Sequence, residues 1–133
     1  MIKLTYYGVI HPKKNNKRII TNPRTGKPML ISNAKARDQE DAMAWSFRMQ
    51  APHAWAEWVS KPEMRFGIIM RIWEKDHRRR DLDNQATAIL DALVLSRVIP
   101  DDSSQIIQKL TVEYMGVCKE QPRAEIEISE VEE

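Results

Sequence analysis

The segment that most limits the fold is residues 64–97, where the hydrophobic period changes from two to about 3.6. Alternate positions of residues 64–72 are apolar, which predicts a strand with one buried face. A helix is predicted from Asp83 or Asn84 to about Arg97. Its apolar residues recur three and four apart: Ala86, Ile89, Leu90, Leu93 and Val94. Both elements must bury an apolar face, so a sheet covered by helices is expected.

The remaining elements complete a small mixed fold. β-branched and aromatic residues predict strands at 2–10, 105–117 and 123–131, and Ser32 or Asn33 can cap a helix that ends near Gln50. The last two strands are expected to pair as a hairpin. The predicted fold is α/β (α+β), a mixed sheet of about four strands with two main helices in the order β-α-β-α-β-β, within one domain of residues 1–133.

Residues 10–32 form a long basic excursion, the basic arm. No acid occurs before Asp38, and the sequences KRIIT and PMLIS can pair as a short hairpin around the turn-forming residues NPRTGKP. The candidate DNA-binding cations of the arm are Lys13, Lys14, Lys17, Arg18, Arg24 and Lys27. Such a cluster indicates a polyanion partner, most often nucleic acid, and the alternative is a solvated loop. The net charge of +2 does not by itself argue for DNA.

Cysteine content and hydropathy predict the compartment. The single cysteine, Cys118, cannot form an internal disulfide and is expected to be a half-buried strand residue, and no Cys/His zinc pattern occurs. No apolar run approaches the roughly 18 residues of a membrane span, and the N-terminus lacks the features of a signal peptide. A cytoplasmic protein is therefore expected.

Two tryptophans follow the first predicted helix, in a stretch that breaks its pattern. Trp55 and Trp58 lie three residues apart in APHAWAEWVSKP. They are expected to cover the edge of the core, and the alternative is that they stack on bases.

The stretch RRRDLDN places Arg78 to Arg80 directly before two acids. If the chain is extended there, Asp81 and Asp83 point the same way with Cα atoms about 6.5 to 7 Å apart, which suits one hard cation. Asp101 or Asp102 from the next turn is a candidate third ligand. The alternatives are that Asp83 is an ordinary helix N-cap, that the later pair are turn residues, and that the arginines neutralise the acids.

This stretch and the residues after it resemble the RusA family of Holliday junction resolvases. The family pattern is a basic run, Asp-x-Asp-Asn, a helix with Asp-Ala-Leu, and Asp-Asp before a strand with Gln. The matching residues are Arg78, Arg79, Arg80, Asp81, Asp83, Asn84, Asp91, Ala92, Leu93, Asp101, Asp102 and Gln105. The likeness is close over residues 76–110 and looser in the preceding strand and the basic arm.

The resemblance implies a homodimeric, Mg²⁺-dependent endonuclease that cuts four-way DNA junctions symmetrically in recombination and repair, with Mn²⁺ able to substitute. It implies that the catalytic metal ligands are Asp81, Asp83 and Asp102, with Asp101 a further candidate. The basic arm and Arg78 to Arg80 would contact DNA. Asp91 would be a helix residue outside the metal shell, and a phage or prophage source would be typical.

One position departs from the family pattern. Thr87 stands where the family usually has a lysine, which can hold a phosphate or stabilise developing charge. Lys75, Lys109 or the basic arm are candidates to supply that charge. The alternative function is a catalytically impaired junction- or DNA-binding protein of the same fold. A third is a protein-interaction domain whose arm binds an acidic partner.

Overall fold

The computed structural model describes residues 1–11, 17–32, 34–59, 61 and 63–131, with only the backbone at 17–20, 29–32, 34–36 and 57–59. In chain order the elements are β1 Ile2–Tyr7, β2 Lys17–Thr21, β3 Pro28–Ser32, α1 Ala34–Gln50, α2 His53–Val59, β4 Phe66–Glu74, α3 Leu82–Leu95, β5 Ile107–Val117 and β6 Arg123–Glu130. The predicted arm hairpin is confirmed as β2 and β3. The proposed cap Asn33 lies outside the described residues. None of the helices described is long and apolar enough to cross a membrane.

The main sheet has four strands in the order β1-β6-β4-β5, which confirms the predicted mixed sheet. β6 is antiparallel to both of its neighbours, and β4 and β5 are parallel. The predicted hairpin of β5 with β6 is therefore wrong. α3 crosses back over the sheet, so β5 starts beside the beginning of β4, and β6 then fills the gap between β1 and β4. That central place buries Ala124, Ile126 and Ile128 completely.

One face of the sheet carries the core. The alternation predicted for residues 64–72 is confirmed, because every second residue of β4 from Phe66 onward is buried. These side chains pack under helix residues, including Phe47 of α1 and Leu93 of α3, which are fully buried. Antiparallel and mixed sheets of this size commonly leave the other face in water.

The opposite face carries a row of alternating charges, the ionic row. Lys3 Nζ lies 3.7 Å from Glu127 Oε1, and Glu127 Oε2 lies 3.3 Å from Arg71 Nη1. Arg71 Nε in turn lies 3.8 Å from Glu113 Oε1 on β5. The row thus crosses β1, β6 and β4 and ends at the outer strand. Such half-exposed pairs add little stability individually.

α2 is an element that the sequence pattern missed. It has 7 residues, too few for a clear helical period. Trp55 is buried, its indole N–H donates to the Val98 carbonyl oxygen at 2.7 Å, and its ring centroid lies 5.8 Å from that of Phe66. The expectation that Trp55 covers the core edge is confirmed, and base stacking by it is excluded by its burial. The side chain of Trp58 lies outside the described residues.

Trp55→Phe is expected to lower the free energy of unfolding by about 1–3 kcal/mol, since the buried Val98 carbonyl loses its donor. Urea denaturation measures it. Trp45→Phe is the matched control, because Trp45 is 65% exposed and should change stability by less than about 0.5 kcal/mol. Equal losses in the two variants would contradict the structural role of the Trp55 hydrogen bond.

Cys118 follows directly after β5 and is half-buried. Its backbone N–H donates to the Glu74 carbonyl oxygen at 2.7 Å. The predicted half-burial is confirmed, and its place is one residue beyond the strand. The contact ties the end of β5 to the end of β4, where the candidate site begins.

Candidate functional site

The two acids of RRRDLDN lie at the start of α3. Asp81 occupies the N-cap position with an extended backbone (φ −85°, ψ 121°) and makes no side-chain cap hydrogen bond, and Asp83 lies in the first helical turn. The alternative that Asp83 is the N-cap is therefore wrong, and the condition of an extended Asp81–Asp83 segment is not met, because the helix begins at Leu82. Both carboxylates are exposed at the end of the helix that favours negative charge.

The contacts of these carboxylates are weak and local. Asp83 Oδ1 accepts from the backbone N–H of Asn84 at 2.9 Å, and Asn84 Nδ2 lies 3.5 Å from Asp81 Oδ2. Arg79 Nε lies 3.8 Å from Asp81 Oδ1, but the Arg79 side chain is 94% exposed. An ion pair this exposed contributes little. The arginines therefore do not account for the two acids as salt-bridge partners.

Asp101 and Asp102 lie at the far end of α3. The helix has 14 residues, so about 21 Å separates its two ends. The backbone N–H of Ile107 donates to the Ser103 carbonyl oxygen at 2.8 Å, which holds this turn at the start of β5. Accordingly, no group of three His, Cys, Asp or Glu residues able to hold a metal occurs in the described part of the chain. Within one chain, Asp102 therefore does not lie beside Asp81 and Asp83.

The donor chemistry of the Asp81 and Asp83 pair nevertheless fits Mg²⁺. This ion prefers oxygen ligands and usually takes only one or two carboxylates, keeping water and phosphate oxygens for its other positions. Both side chains are exposed, and the Asp81 carboxylate is not used in capping. The structure therefore offers an open two-carboxylate site, without a closed cage around it.

Next to the pair lies an ionic network, called here the buried ionic network, in which the buried side chains of Glu74, Arg80 and Gln85 meet the partly exposed Asp76. Arg80 Nη1 lies 2.8 Å from Asp76 Oδ1 and 3.2 Å from Glu74 Oε2, and the Arg80 and Glu74 side chains are only 8% and 5% exposed. This placement corrects the assignment of Arg80 as a DNA contact, because its guanidinium is turned inward between two carboxylates. Arg78 and Arg79 are exposed and remain available to a phosphate.

Gln85 ties the network to α3 and to the root of the basic arm. Its Nε2 donates to Glu74 Oε1 at 2.6 Å and to the Ile10 carbonyl oxygen at 2.9 Å. Within the described residues Glu74 Oε2 and Gln85 Oε1 accept no hydrogen bond. The 3.2 Å approach of Arg80 to Glu74 Oε2 is thus an ion pair without hydrogen-bond geometry. The network fixes where α3 starts, and with it the two exposed acids.

The Arg80 guanidinium, which donates to Asp76, holds the pKa of that carboxyl below its usual range, and the Arg78 backbone N–H adds to the effect. A lowered pKa means that Asp76 stabilises the fold above its ordinary pKa, about 3.9. That contribution is lost as the pH falls below this value and through the lowered folded-state pKa. The free-energy difference between the protein and Asp76→Asn is expected to shrink in urea titrations from pH 7 to pH 3. A difference independent of pH would contradict the Arg80–Asp76 pairing.

A cleft of about 300 Å³ opens beside the network. Its lining residues are Glu74, Asp76, His77, Arg78, Arg79, Arg80, Leu82 and Tyr114. The sequence pattern did not indicate four residues of this cleft and network: Glu74, Asp76, Gln85 and Tyr114. A signal existed for Glu74, because the alternation of β4 places it among the buried side chains. A buried acid needs a charged or hydrogen-bonding partner. Tyr114 gave no signal, because its place depends on the pairing of β5 with β4.

Thr87 does not replace the family lysine chemically. Its hydroxyl donates to the Asp83 carbonyl oxygen at 3.0 Å and its side chain is exposed without charge. Lys109 pairs with Gly67 at the opposite end of β4 from Glu74, roughly 23 Å away by the rise of a strand. Within one chain Lys109 is therefore too distant from the start of α3 to compensate. Lys75 is exposed beside Glu74 and stays a candidate.

The basic arm is described only in part. Arg24 and Lys27 are exposed at the tip of the β2–β3 hairpin. Its turn is closed by two backbone hydrogen bonds, from the Asn22 N–H to the Lys27 carbonyl oxygen and from the Gly26 N–H to the Asn22 carbonyl oxygen, both at 2.8 Å. Lys13 and Lys14, and the side chains of Lys17 and Arg18, lie outside the described residues.

Comparison with known proteins gives one family. The family described as Endodeoxyribonuclease RusA matches residues 10–129. The match takes in the basic arm, both pairs of acids and all of β6 except its last residue. No curated protein matches the chain.

Proposed function

Because the chain belongs to the RusA family of endodeoxyribonucleases, which acts on branched DNA, we propose that it is a Mg²⁺-dependent nuclease that resolves four-way junctions by paired, symmetric cuts. One observation carries the proposal. Asp81 and Asp83 are two exposed carboxylates at the start of α3, beside exposed arginines and anchored by the buried ionic network. The biological setting would be DNA recombination and repair.

In this proposal Asp81 and Asp83 hold the metal ion, and Mn²⁺ can replace Mg²⁺. When bound, such an ion would lower the pKa of a coordinated water and stabilise charge on the attacking and leaving oxygens of a phosphodiester. The chain orients the two carboxylates through the helix start and through Gln85. The hydroxyl of Thr87 donates to the Asp83 carbonyl oxygen and so helps to hold the first turn of α3.

DNA affinity would come from exposed cations of two segments, the arginines before this pair and the basic arm. Arg78 and Arg79 line the cleft, and Arg24 and Lys27 stand at the arm tip. Lys13, Lys14, Lys17 and Arg18 extend the proposed contact along the arm. Phosphate contacts of this kind make binding strongly salt-dependent and carry little sequence information.

A homodimer is part of the proposal. Junction resolution needs two cuts in opposing strands, and a twofold dimer supplies two sites related by the symmetry of the junction. The distance along α3 adds a second reason. Asp102, which the resemblance implies as the third ligand, is about 21 Å of helix away from Asp83 in its own chain. Its participation would therefore require the Asp102 of a second copy.

The second candidate function is junction binding without cutting. Thr87 favours it, since no cation stands at that position of α3. Cleavage of a labelled junction separates the two candidates. A protein-interaction domain is the third, and failure to retard DNA at low salt would favour it.

Thr87→Lys is expected to raise the rate of junction cutting at saturating protein by about tenfold or more, because a cation near the scissile phosphate stabilises developing charge. Single-turnover cleavage with Mg²⁺ measures it. Thr87→Met, of similar length without charge, is the control and should not accelerate cutting. Junction retardation with no product from either the original protein or Thr87→Lys would leave only the binding function.

A further inference from the structure

β5 is the outer strand of the sheet and is exposed on both sides. It has 11 residues and, among described residues, pairs with β4 alone. Four of its large apolar side chains are well exposed: Leu110 at 44%, Tyr114 at 52%, Met115 at 41% and Val117 at 37%. A long apolar edge strand is a template for pairing with another chain, which proteins usually block.

The other edge of the same sheet is blocked. On β1, Gln50 from α1 imitates a neighbouring strand with its side-chain amide. Its Oε1 accepts from the Thr5 backbone N–H and its Nε2 donates to the Thr5 carbonyl oxygen, both at 2.8 Å. No comparable cap onto β5 occurs among the described residues. The contrast indicates that the β5 edge is kept open.

The two faces of β5 differ in chemistry. Leu110 and Tyr114 stand beside buried residues of β4, on the side of the sheet that α3 only partly covers. Lys109, Thr111 and Glu113 lie on the water side. There Glu113 is the outermost member of the ionic row. The row of alternating charges thus ends on an anion at the open edge, where the next member would be a cation.

We propose that β5 pairs antiparallel with β5 of a second copy, Thr111 opposite Thr111, so that the four strands of each copy form one continuous sheet. A twofold axis through the sheet keeps each residue on its own face. Lys109 then stands opposite Glu113 of the second copy, twice, and extends the ionic row across the axis. Opposite charges directly across an antiparallel pair are stabilising.

Charge complementarity selects this register from its neighbours. Pairing centred on Val112 would leave Lys109 opposite Met115 and Glu113 opposite Thr111. Centring on Lys109 or on Glu113 would place like charges face to face, which is destabilising. Only the register centred on Thr111 satisfies both charges, and it also sets Leu110 opposite Val112 on the other side. This self-complementarity is the reason for choosing a second copy as the partner.

This β5–β5 pairing rests on the proposed function only in one respect, that paired cutting needs a dimer. The new element is the surface through which the two copies meet. It is also consistent with the position of the cleft. In this register Ile107 of the second copy stands opposite Met115, next to Tyr114 in the cleft wall. The turn before that Ile107 therefore arrives at the cleft end of β5.

Cysteine cross-linking tests the register in a Cys118→Ser chain. Residues directly opposite in an antiparallel pair have Cα atoms about 4.5–5.5 Å apart, within disulfide range. Thr111→Cys is therefore expected to give a covalent dimer on oxidation. Val112→Cys is the matched control, because its two copies would stand roughly 8 Å apart and stay unlinked. A covalent dimer from Val112→Cys alone would overturn the register.

A charge swap tests the contacts, with the dimer dissociation constant measured by sedimentation equilibrium. Lys109→Glu is expected to weaken the dimer about tenfold or more, and adding Glu113→Lys should restore it. Circular dichroism of each variant reports that it is folded. No weakening by Lys109→Glu, or no recovery in the double variant, would overturn the Lys109–Glu113 pairing.

Failure of this surface and failure of the nuclease proposal give different results. A dimer that cuts junctions without a Thr111→Cys cross-link would overturn the surface and leave the nuclease standing. A Thr111→Cys cross-linked dimer that cuts no junction would support the surface and contradict the nuclease. A chain that is monomeric at every concentration would overturn the surface whether or not it cuts.

Discussion

Asp83→Asn is expected to abolish junction cutting while leaving junction binding intact or tighter. The amide keeps the shape of the side chain and removes one of the two exposed carboxylates that would hold the metal. A bound metal is worth several kcal/mol of transition-state stabilisation, so the rate should fall about 10³-fold or more. Binding should not weaken, because one negative charge facing the phosphates is gone.

The control for that variant is Asp41→Asn, on an exposed position of α1, which makes the same change in net charge at a residue outside the proposed metal pair. It should cut at the rate of the unchanged protein. Single-turnover cleavage and gel retardation of the same labelled junction measure both quantities. Cutting by Asp83→Asn at the original rate would overturn the metal assignment at the start of α3.

Arg80→Met is expected to lower the free energy of unfolding by about 3–5 kcal/mol, the cost of leaving a buried charge without its partner. Glu74 is the charge concerned, since its side chain is 5% exposed and Arg80 is the cation beside it. Urea denaturation at pH 7 measures the loss. Junction cutting by the folded Arg80→Met protein should also be slower, because the network positions the first turn of α3.

Two variants sharpen that measurement. Arg79→Met removes a neighbouring arginine whose side chain is 94% exposed, and should change stability by less than about 0.5 kcal/mol. Glu74→Gln combined with Arg80→Met removes both charges and should recover part of the loss. Equal stability of Arg80→Met and Arg79→Met would contradict the burial of Arg80.

Hydrophobic period predicts the elements of this fold better than it predicts their pairing. The alternation of β4 and the stripe of α3 were sufficient to define a sheet with helices on one face. The partner of β6 was not predictable in the same way, because alternation marks a buried face and does not name the adjacent strand. The crossover through α3 sets that choice by sending β5 to the outside.

At the site too, the sequence predicts the residues better than their arrangement in space. The spacing of Asp81 and Asp83 indicated that they are candidate ligands. It did not indicate that a helix begins between them. A run of three arginines is typical of one exposed cluster. Arg80 nevertheless turns inward, because Glu74 on the preceding strand is buried and lies beside its guanidinium. The separation of Asp102 from Asp83 was available in principle from the 14 residues of α3. The separation also depends on the parallel pairing of β5 with β4, which the sequence pattern does not indicate.

The direct test of the central claim is incubation of the protein with a labelled four-way junction and with the matching linear duplex, each in Mg²⁺ and in EDTA. The predicted result is a pair of nicks at symmetric positions in opposing strands of the junction, in Mg²⁺ only, with the duplex intact. Cutting in EDTA, equal cutting of the duplex, or an uncut junction in Mg²⁺ would contradict a metal-dependent junction resolvase.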